Sequence, residues 1–173
     1  GYISVLDLSV TFNSASVSTK EIIGGAVDEV WAATFDGVDT IYFVGKAGTI
    51  MNYNVSTDTV VSGLINGFGV GVSAALRCNA KYYLNNLYIS SLAGFVAGPT
   101  GKTGALKVDL TSFPTSVTQT FFDAFGSNPW PNSTYVHNIL PLGNCLMLVT
   151  GEGYQNTYFS TEKGSVAVFK TDG

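Results

Sequence analysis

Charged side chains are scarce in this chain of 173 residues. Asp, Glu, Lys and Arg together make up 12% of the sequence, about half of the share that is usual for soluble domains. The formal net charge is −4 and the eight basic residues are scattered along the chain. Binding to phosphate backbones and to anionic membrane surfaces depends on clustered cations. We therefore expect no nucleic-acid partner and no anionic membrane partner.

Long apolar runs and helical periodicity are also missing. No apolar run approaches the roughly 20 residues that a membrane-spanning helix needs, so we expect no membrane insertion. No segment shows sustained apolar spacing at i, i+3, i+4 and i+7 with helix caps. Apolar residues instead alternate with polar ones in short runs, which is typical of strands. The sequence therefore predicts an all-β fold.

Cysteine and histidine are too few for most metal centres. Cys78 and Cys145 are the only cysteines, which excludes a disulfide framework and a zinc site of the usual spacing. A single Cys78–Cys145 disulfide and two free thiols are both compatible with the sequence. His137 is the only histidine, and no Gly-x-Ser-x-Gly motif accompanies it. We expect a structural role for His137 rather than a catalytic one.

A recurring strand that opens with glycine is the clearest pattern in the sequence. The glycines lie about 47, 56 and 60 residues apart, close to the roughly 40–50 residues of a propeller blade. A second apolar strand precedes the last three copies, and a further candidate strand lies upstream of each. Polar, Thr-rich segments follow two of the copies. The glycine-led strands are Gly1–Val5, Gly48–Asn52, Gly104–Val108 and Gly164–Val168.

The other predicted strands complete units of four. The preceding apolar strands are Ile41–Val44, Leu87–Ser90 and Leu146–Val149, the upstream strands are Glu29–Phe35, Val72–Cys78 and Tyr135–Leu140, and the outer strands are Thr57–Leu64 and Ser116–Phe122. Turns are predicted at Asp36-Gly37 and Leu142-Gly143-Asn144. The units cover about residues 28–65, 72–123 and 135–173, with a partial unit at 1–23. This predicts propeller-like antiparallel four-stranded sheets, about three to four in the chain, and a β-sandwich or jelly roll is the alternative.

Two segments carry a resemblance to known propellers. Gly1-Tyr-Ile-Ser-Val-Leu-Asp-Leu8 and Gly104-Ala-Leu-Lys-Val-Asp-Leu110 resemble the third blade strand of six- and seven-bladed propellers. Together with Asn86-Leu-Tyr-Ile-Ser90, the second segment is similar to the NHL, YVTN and gluconolactonase-like (SMP-30) families. The resemblance implies sheets arranged around an axis. In the gluconolactonase-like family it also implies an axial Ca²⁺ or similar cation held by Glu, Asn and Asp, for which Glu152 and Asn138 are the nearest candidates.

The predicted units do not close a ring, because closed propellers have at least four blades. The first and the last residues both read as third strands. We therefore expect residues 1–173 to form either a single all-β domain or part of a larger propeller, whose open sheet edges are completed by additional blades or chains.

The candidate ligand-binding residues lie in the second half of the chain. Trp130 stands in a turn-rich Asn-Pro-Trp-Pro-Asn segment that can present an indole to a sugar or a protein. The full set is Trp130, Asn132, His137, Asn138 and Glu152. Asn54 and Asn132 each begin an N-x-[ST] sequon and are candidate glycosylation sites. Sequons and sparse charge favour an extracellular setting or a virion surface.

These observations favour a non-catalytic module for binding, adhesion or assembly, with a protein or carbohydrate ligand and no cofactor. One alternative is a metal-dependent hydrolase of a lactone or ester of the gluconolactonase-like type. The other alternative is a structural subunit of a filament or capsid whose neighbours complete its sheets.

Overall fold

A computed structural model describes residues 2–6, 17–21, 30–45, 49–64, 78–91, 104–123, 136–150 and 166–170. Every described element is a strand, so the predicted all-β class is confirmed. No helix long and apolar enough to cross a membrane occurs in these ranges. The strands are β1 (Tyr2–Leu6), β2 (Val17–Glu21), β3 (Val30–Phe35), β4 (Thr40–Gly45), β5 (Thr49–Asn54), β6 (Thr59–Leu64), β7 (Cys78–Tyr83), β8 (Asn86–Ser91), β9 (Gly104–Asp109), β10 (Thr118–Asp123), β11 (Val136–Leu142), β12 (Cys145–Thr150) and β13 (Val166–Lys170).

The strands form four antiparallel sheets, each composed of consecutive strands. The first sheet is β1–β2, the second β3–β6, the third β7–β10 and the fourth β11–β13. Each sheet of more than two strands is a simple meander, whereas a sandwich would send consecutive strands to different sheets. Three of the glycine-led segments supply β5, β9 and β13, and each of these is the third strand of its sheet.

The upstream strand of the third sheet lies further along the chain than its predicted position. The prediction placed it at Val72–Cys78, but the strand that pairs with β8 begins at Cys78 and ends at Tyr83. Residues 72–77 lie outside the described residues. The reason for the shift is a two-residue turn at Leu84 and Asn85, which fixes the register of the hairpin immediately after Tyr83.

The second, third and fourth sheets pack face to face in chain order. In β8, Leu87 and Ile89 belong to the core shared with the second sheet. Tyr88, which lies between them, belongs to the core shared with the fourth sheet. Because alternate side chains of a strand point to opposite faces, the third sheet is buried on both faces by its two neighbours.

The two cores have different compositions. Aliphatic side chains dominate the core between the second and third sheets, and the stacked rings of Tyr42 and Tyr82 close one side of it with centroids 5.5 Å apart. The core between the third and fourth sheets is smaller and includes Tyr88, Ala105, Ile139 and Leu146. A third cluster of Phe43, Met51 and Tyr53 covers the opposite face of the second sheet.

The first strands of the three stacked sheets, β3, β7 and β11, contact one another in sequence. The backbone N–H of Tyr82 donates to Thr34 Oγ1 at 3.0 Å and joins β7 to β3. The Asn79 side chain donates to Asn138 Oδ1 at 2.9 Å and joins β7 to β11. These bonds place β7 beside both β3 and β11, with similar positions along the strands in contact.

Candidate binding surface at the turn end of the sheets

The two ends of the stacked sheets carry different kinds of connection. One end, called here the turn end, holds the short connections that follow the first and third strands: residues 36–39, 55–58, 84–85, 110–117 and 143–144. The connections at the opposite end lie outside the described residues. All the connections of the turn end listed above are among the described residues.

Asp36 builds the first of these turns. Its Oδ1 accepts the backbone N–H groups of Val38, Asp39 and Thr40 at 2.8–3.0 Å, and Gly37 adopts a φ of +87°. The predicted Asp-Gly turn is thus present, as a four-residue loop. Burial by itself would raise the pKa of Asp36, but the backbone N–H donors outweigh it and hold that pKa below its usual range. Asp36 is therefore anionic at neutral pH.

The β7–β8 turn places leucine in a left-handed conformation. Leu84 has a φ of +46° and Asn85 a φ of +59°, which is the pattern of a type I′ turn. That turn favours Asn, Asp or Gly at both central positions, because a β-carbon is strained there. Leu84 is nevertheless 69% exposed, so packing of its side chain does not compensate for the strain.

Hydrogen bonds fix the turns relative to one another. The backbone N–H of Gly143, in the β11–β12 turn, donates to the Tyr83 hydroxyl at 3.0 Å. Within sheets, Val55 N–H donates to the Asp39 carbonyl at 2.8 Å. The corresponding bond in the third sheet runs from Leu110 N–H to the Asn85 carbonyl at 3.0 Å. Together with the bond from the Tyr82 N–H to Thr34 Oγ1, which joins the third sheet to the second, these bonds connect the turn end across three sheets.

Exposed apolar side chains gather at the turn end of the three first strands. Besides Leu84, the turn after β3 exposes 81% of Val38, and the last residues of β3 and β11 expose about half of Phe35 and Leu142. Two hydrogen bonds between the sheets lie one or two residues from Phe35, Leu84 and Leu142. They run from Tyr82 to Thr34 and from Gly143 to Tyr83. We call this set the apolar rim: Phe35, Val38, Leu84, Leu140 and Leu142.

Of the five sequence-predicted ligand-binding residues, only Asn138 has a described side chain. Asn138 lies early in β11, where its Oδ1 accepts both the Asn79 side chain and the backbone N–H of Ile139 at 2.9 Å. His137 precedes it in the same strand, and its side chain is outside the described part. Trp130, Asn132 and Glu152 also lie outside it. Through its side chain, Asn138 thus joins β11 to the third sheet.

A buried hydroxyl lies beside that contact. Ser90 of β8 pairs directly with Asn79 of β7 and is fully buried, and its Oγ has no hydrogen-bond partner among the described residues. Such a group is destabilising by roughly 1–3 kcal/mol relative to a satisfied one. Sequence reasoning did not single out Ser90, and its position in an ordinary strand pattern gives no signal for it.

The remaining predicted residues concern covalent modification. Cys145 carries a free thiol, and the side chain of Cys78 lies outside the described part, so the Cys78–Cys145 disulfide finds no support here. Asn54 ends β5, and its Oδ1 accepts the Thr57 N–H and hydroxyl at 2.9 and 3.0 Å. Its Nδ2, the atom that N-glycosylation modifies, takes no part in those bonds.

No protein-family model matches the chain, and no curated protein matches it.

Proposed function

We propose that this chain is a non-catalytic, propeller-like binding module of an extracellular or virion surface, and that it docks a protein partner on the apolar rim. The observation that carries the proposal is the collection of exposed apolar side chains from three successive sheets at one end of the fold. Contiguous exposed apolar patches on soluble proteins often mark interaction sites.

Leu84 supports the proposal independently of the patch. Its position combines a strained backbone with an exposed leucine, and each of these features is unfavourable for folding. Strained residues that packing does not explain cluster at functional sites. A role in binding accounts for a leucine at a position where asparagine or glycine would fold better.

The stacking of the sheets supports the propeller-like part of the proposal. Blades arranged around an axis pack face to face in chain order, and their first strands contact one another. The second, third and fourth sheets show both features. The outer strands β6 and β10 expose side chains such as Val60 and Thr118. On this proposal β3, β7 and β11 line the axis, and the rim surrounds its mouth at the turn end.

Asn138 argues against the alternative of a metal-dependent hydrolase. An amide oxygen has two lone pairs, and both hydrogen bonds to Asn138 Oδ1 use them. The oxygen that would have to ligate Ca²⁺ is therefore occupied in this arrangement. The filament or capsid alternative requires neighbouring copies of this chain to complete open sheet edges, and concentration-dependent polymerisation of the chain would support it.

The proposal is tested by selecting ligands against the whole chain. A phage-displayed library of random peptides is panned on the immobilised protein, and the enriched peptides are synthesised and titrated by calorimetry. The double variant Leu84→Asn, Leu142→Thr removes two rim side chains, and Val168→Thr removes an apolar side chain that is 61% exposed on β13, outside the rim.

We expect the rim variant to weaken peptide binding at least about tenfold, equivalent to about 1.4 kcal/mol, and the Val168→Thr control to bind like the wild type. Thermal unfolding of each variant verifies that the fold is retained. Absence of enriched peptides, or equal loss of binding in the rim variant and the control, contradicts the proposal.

The extracellular setting makes a separate prediction about Asn54. When the chain is secreted from a eukaryotic cell, we expect a glycan on Asn54, because its Nδ2 is available and the sequon residues Val55 and Ser56 are exposed. Enzymatic deglycosylation should lower the mass of the wild type, and Asn54→Gln should remove the contribution of this site. If deglycosylation removes the same mass from Asn54→Gln as from the wild type, the prediction is contradicted.

A further inference from the structure

Carboxylates alternate with the apolar rim side chains that the second sheet contributes. In the β3–β4 connection the order is Phe35, Asp36, Gly37, Val38 and Asp39, so the two rim residues of the second sheet are each followed directly by an aspartate. A partner that covers Phe35 and Val38 therefore also covers the surroundings of Asp36 and Asp39.

The neighbouring turn adds a third carboxylate. The bond from Val55 N–H to the Asp39 carbonyl holds the β5–β6 turn, which contains Asp58, beside the β3–β4 loop. The described turns of this end contain three aspartates and no Lys or Arg. Lys170, which pairs with Cys145 in the fourth sheet, is the described strand cation nearest to this end.

Covering these carboxylates without a counter-charge is costly. A charge that loses its water and gains no partner destabilises a complex by several kcal/mol. For an apolar partner without cations, burial of the rim would favour binding. Desolvation of the aspartates would cancel much of that favourable free energy. A partner with cations placed between its apolar side chains avoids that loss and forms charge-assisted hydrogen bonds.

We infer, building on the proposed function, that the partner segment presents Lys or Arg side chains interspersed with apolar ones. The same charges disfavour a second copy of this chain as the occupant, since its own turn end would bring carboxylates against carboxylates. A basic, amphipathic protein segment is the occupant that satisfies both the apolar rim and its aspartates.

Two isosteric substitutions test the inference. Asp39→Asn keeps an oxygen that can accept the Thr40 hydroxyl. Asp58→Asn keeps an acceptor for the Tyr53 hydroxyl and tolerates the φ of +55° at that position. Asp123→Asn, at the opposite end of β10 in the third sheet, makes the same change of charge away from the rim and serves as the control.

The probes are the peptides selected on the wild-type chain, titrated at low and at high salt. We expect these peptides to be enriched in Lys or Arg together with apolar residues. We expect the double variant Asp39→Asn, Asp58→Asn to weaken their binding about tenfold and to reduce its dependence on salt. The Asp123→Asn control should retain the wild-type affinity.

The outcomes separate this inference from the function on which it rests. Rim-dependent peptides that are neutral or acidic, with affinity unchanged in the double aspartate variant, overturn the inference and leave the binding function in place. Rim-dependent dimers of the chain in sedimentation velocity also overturn the inference. Binding that does not depend on the rim overturns the proposed function itself.

Discussion

Leu84 occupies a backbone conformation that asparagine and glycine adopt far more readily than leucine. Because the side chain is largely exposed, replacing it loses little packing. We predict that Leu84→Asn raises the free energy of unfolding by about 1 kcal/mol, measured by urea denaturation. Asn85→Ala, at the next position of the turn, should lower it by a similar amount. A fall in stability for Leu84→Asn would show that the leucine is retained for packing.

Ser90 is the second residue whose chemistry does not match its surroundings. Its buried hydroxyl has no partner in the described part of the chain, so we predict that Ser90→Ala leaves the free energy of unfolding unchanged or raises it by up to about 1 kcal/mol. Thr34→Val is the contrasting variant, because Thr34 Oγ1 accepts the Tyr82 N–H. That variant should be destabilised by about 1 kcal/mol. If Ser90→Ala lowers the free energy of unfolding as much as Thr34→Val does, the Ser90 hydroxyl makes a hydrogen bond.

Asp36 gives the fold a pH dependence of known sign. Its pKa is lowered from 3.8 in the folded chain, so its stabilising effect is complete well above that value and is lost as the pH falls through the lower folded pKa. We predict that the stability difference between wild type and Asp36→Asn shrinks as the pH falls from about 5 to about 2. Denaturant titrations across this range measure it. A difference that grows toward acid contradicts the assignment.

The β7–β8 hairpin links the three stacked sheets at the scale of elements. It donates from Tyr82 N–H to β3 and accepts from Gly143 N–H through the Tyr83 hydroxyl. We predict that Tyr83→Phe destabilises the chain by about 0.5–1.5 kcal/mol and speeds amide hydrogen exchange at Gly143. Unchanged exchange at Gly143 would show that this bond does not hold the two turns together.

Most elements could be predicted from the sequence, and β7 shows where such prediction fails. Alternating apolar residues located β4, β5, β8, β9 and β12 to within one or two residues. In β7, however, Ala80 and Tyr82 contribute to one core while Tyr83 packs against the other. Both faces of this strand meet a neighbouring sheet, so it has no simple apolar and polar alternation. The Leu84-Asn85 turn also lacks the glycine that usually signals a tight hairpin.

The apolar rim could not be predicted from the sequence at all. Phe35, Leu84 and Leu142 are far apart in the chain, and each looks like an ordinary strand or turn residue in its own segment. They become neighbours only because three first strands pack side by side. The predicted candidates around Trp130 and Asn138, by contrast, came from local motifs, and Asn138 proves to serve a contact between sheets.

At the scale of the whole molecule, the stacking of sheets is what creates a binding surface. The contacts between β3, β7 and β11 collect the turns of three sheets at one end, with apolar side chains from all three sheets and aspartates from the second. The burial of both faces of the third sheet makes this arrangement rigid. A preformed surface of this kind loses little conformational entropy on binding.

Amide hydrogen exchange of the chain with and without a selected peptide tests this claim most directly. We expect binding to protect the amides of residues 36–39, 84–85 and 143–144 together, while the outer strands β6 and β10 exchange as in the free chain. Protection confined to the outer strands or to one turn alone would contradict it.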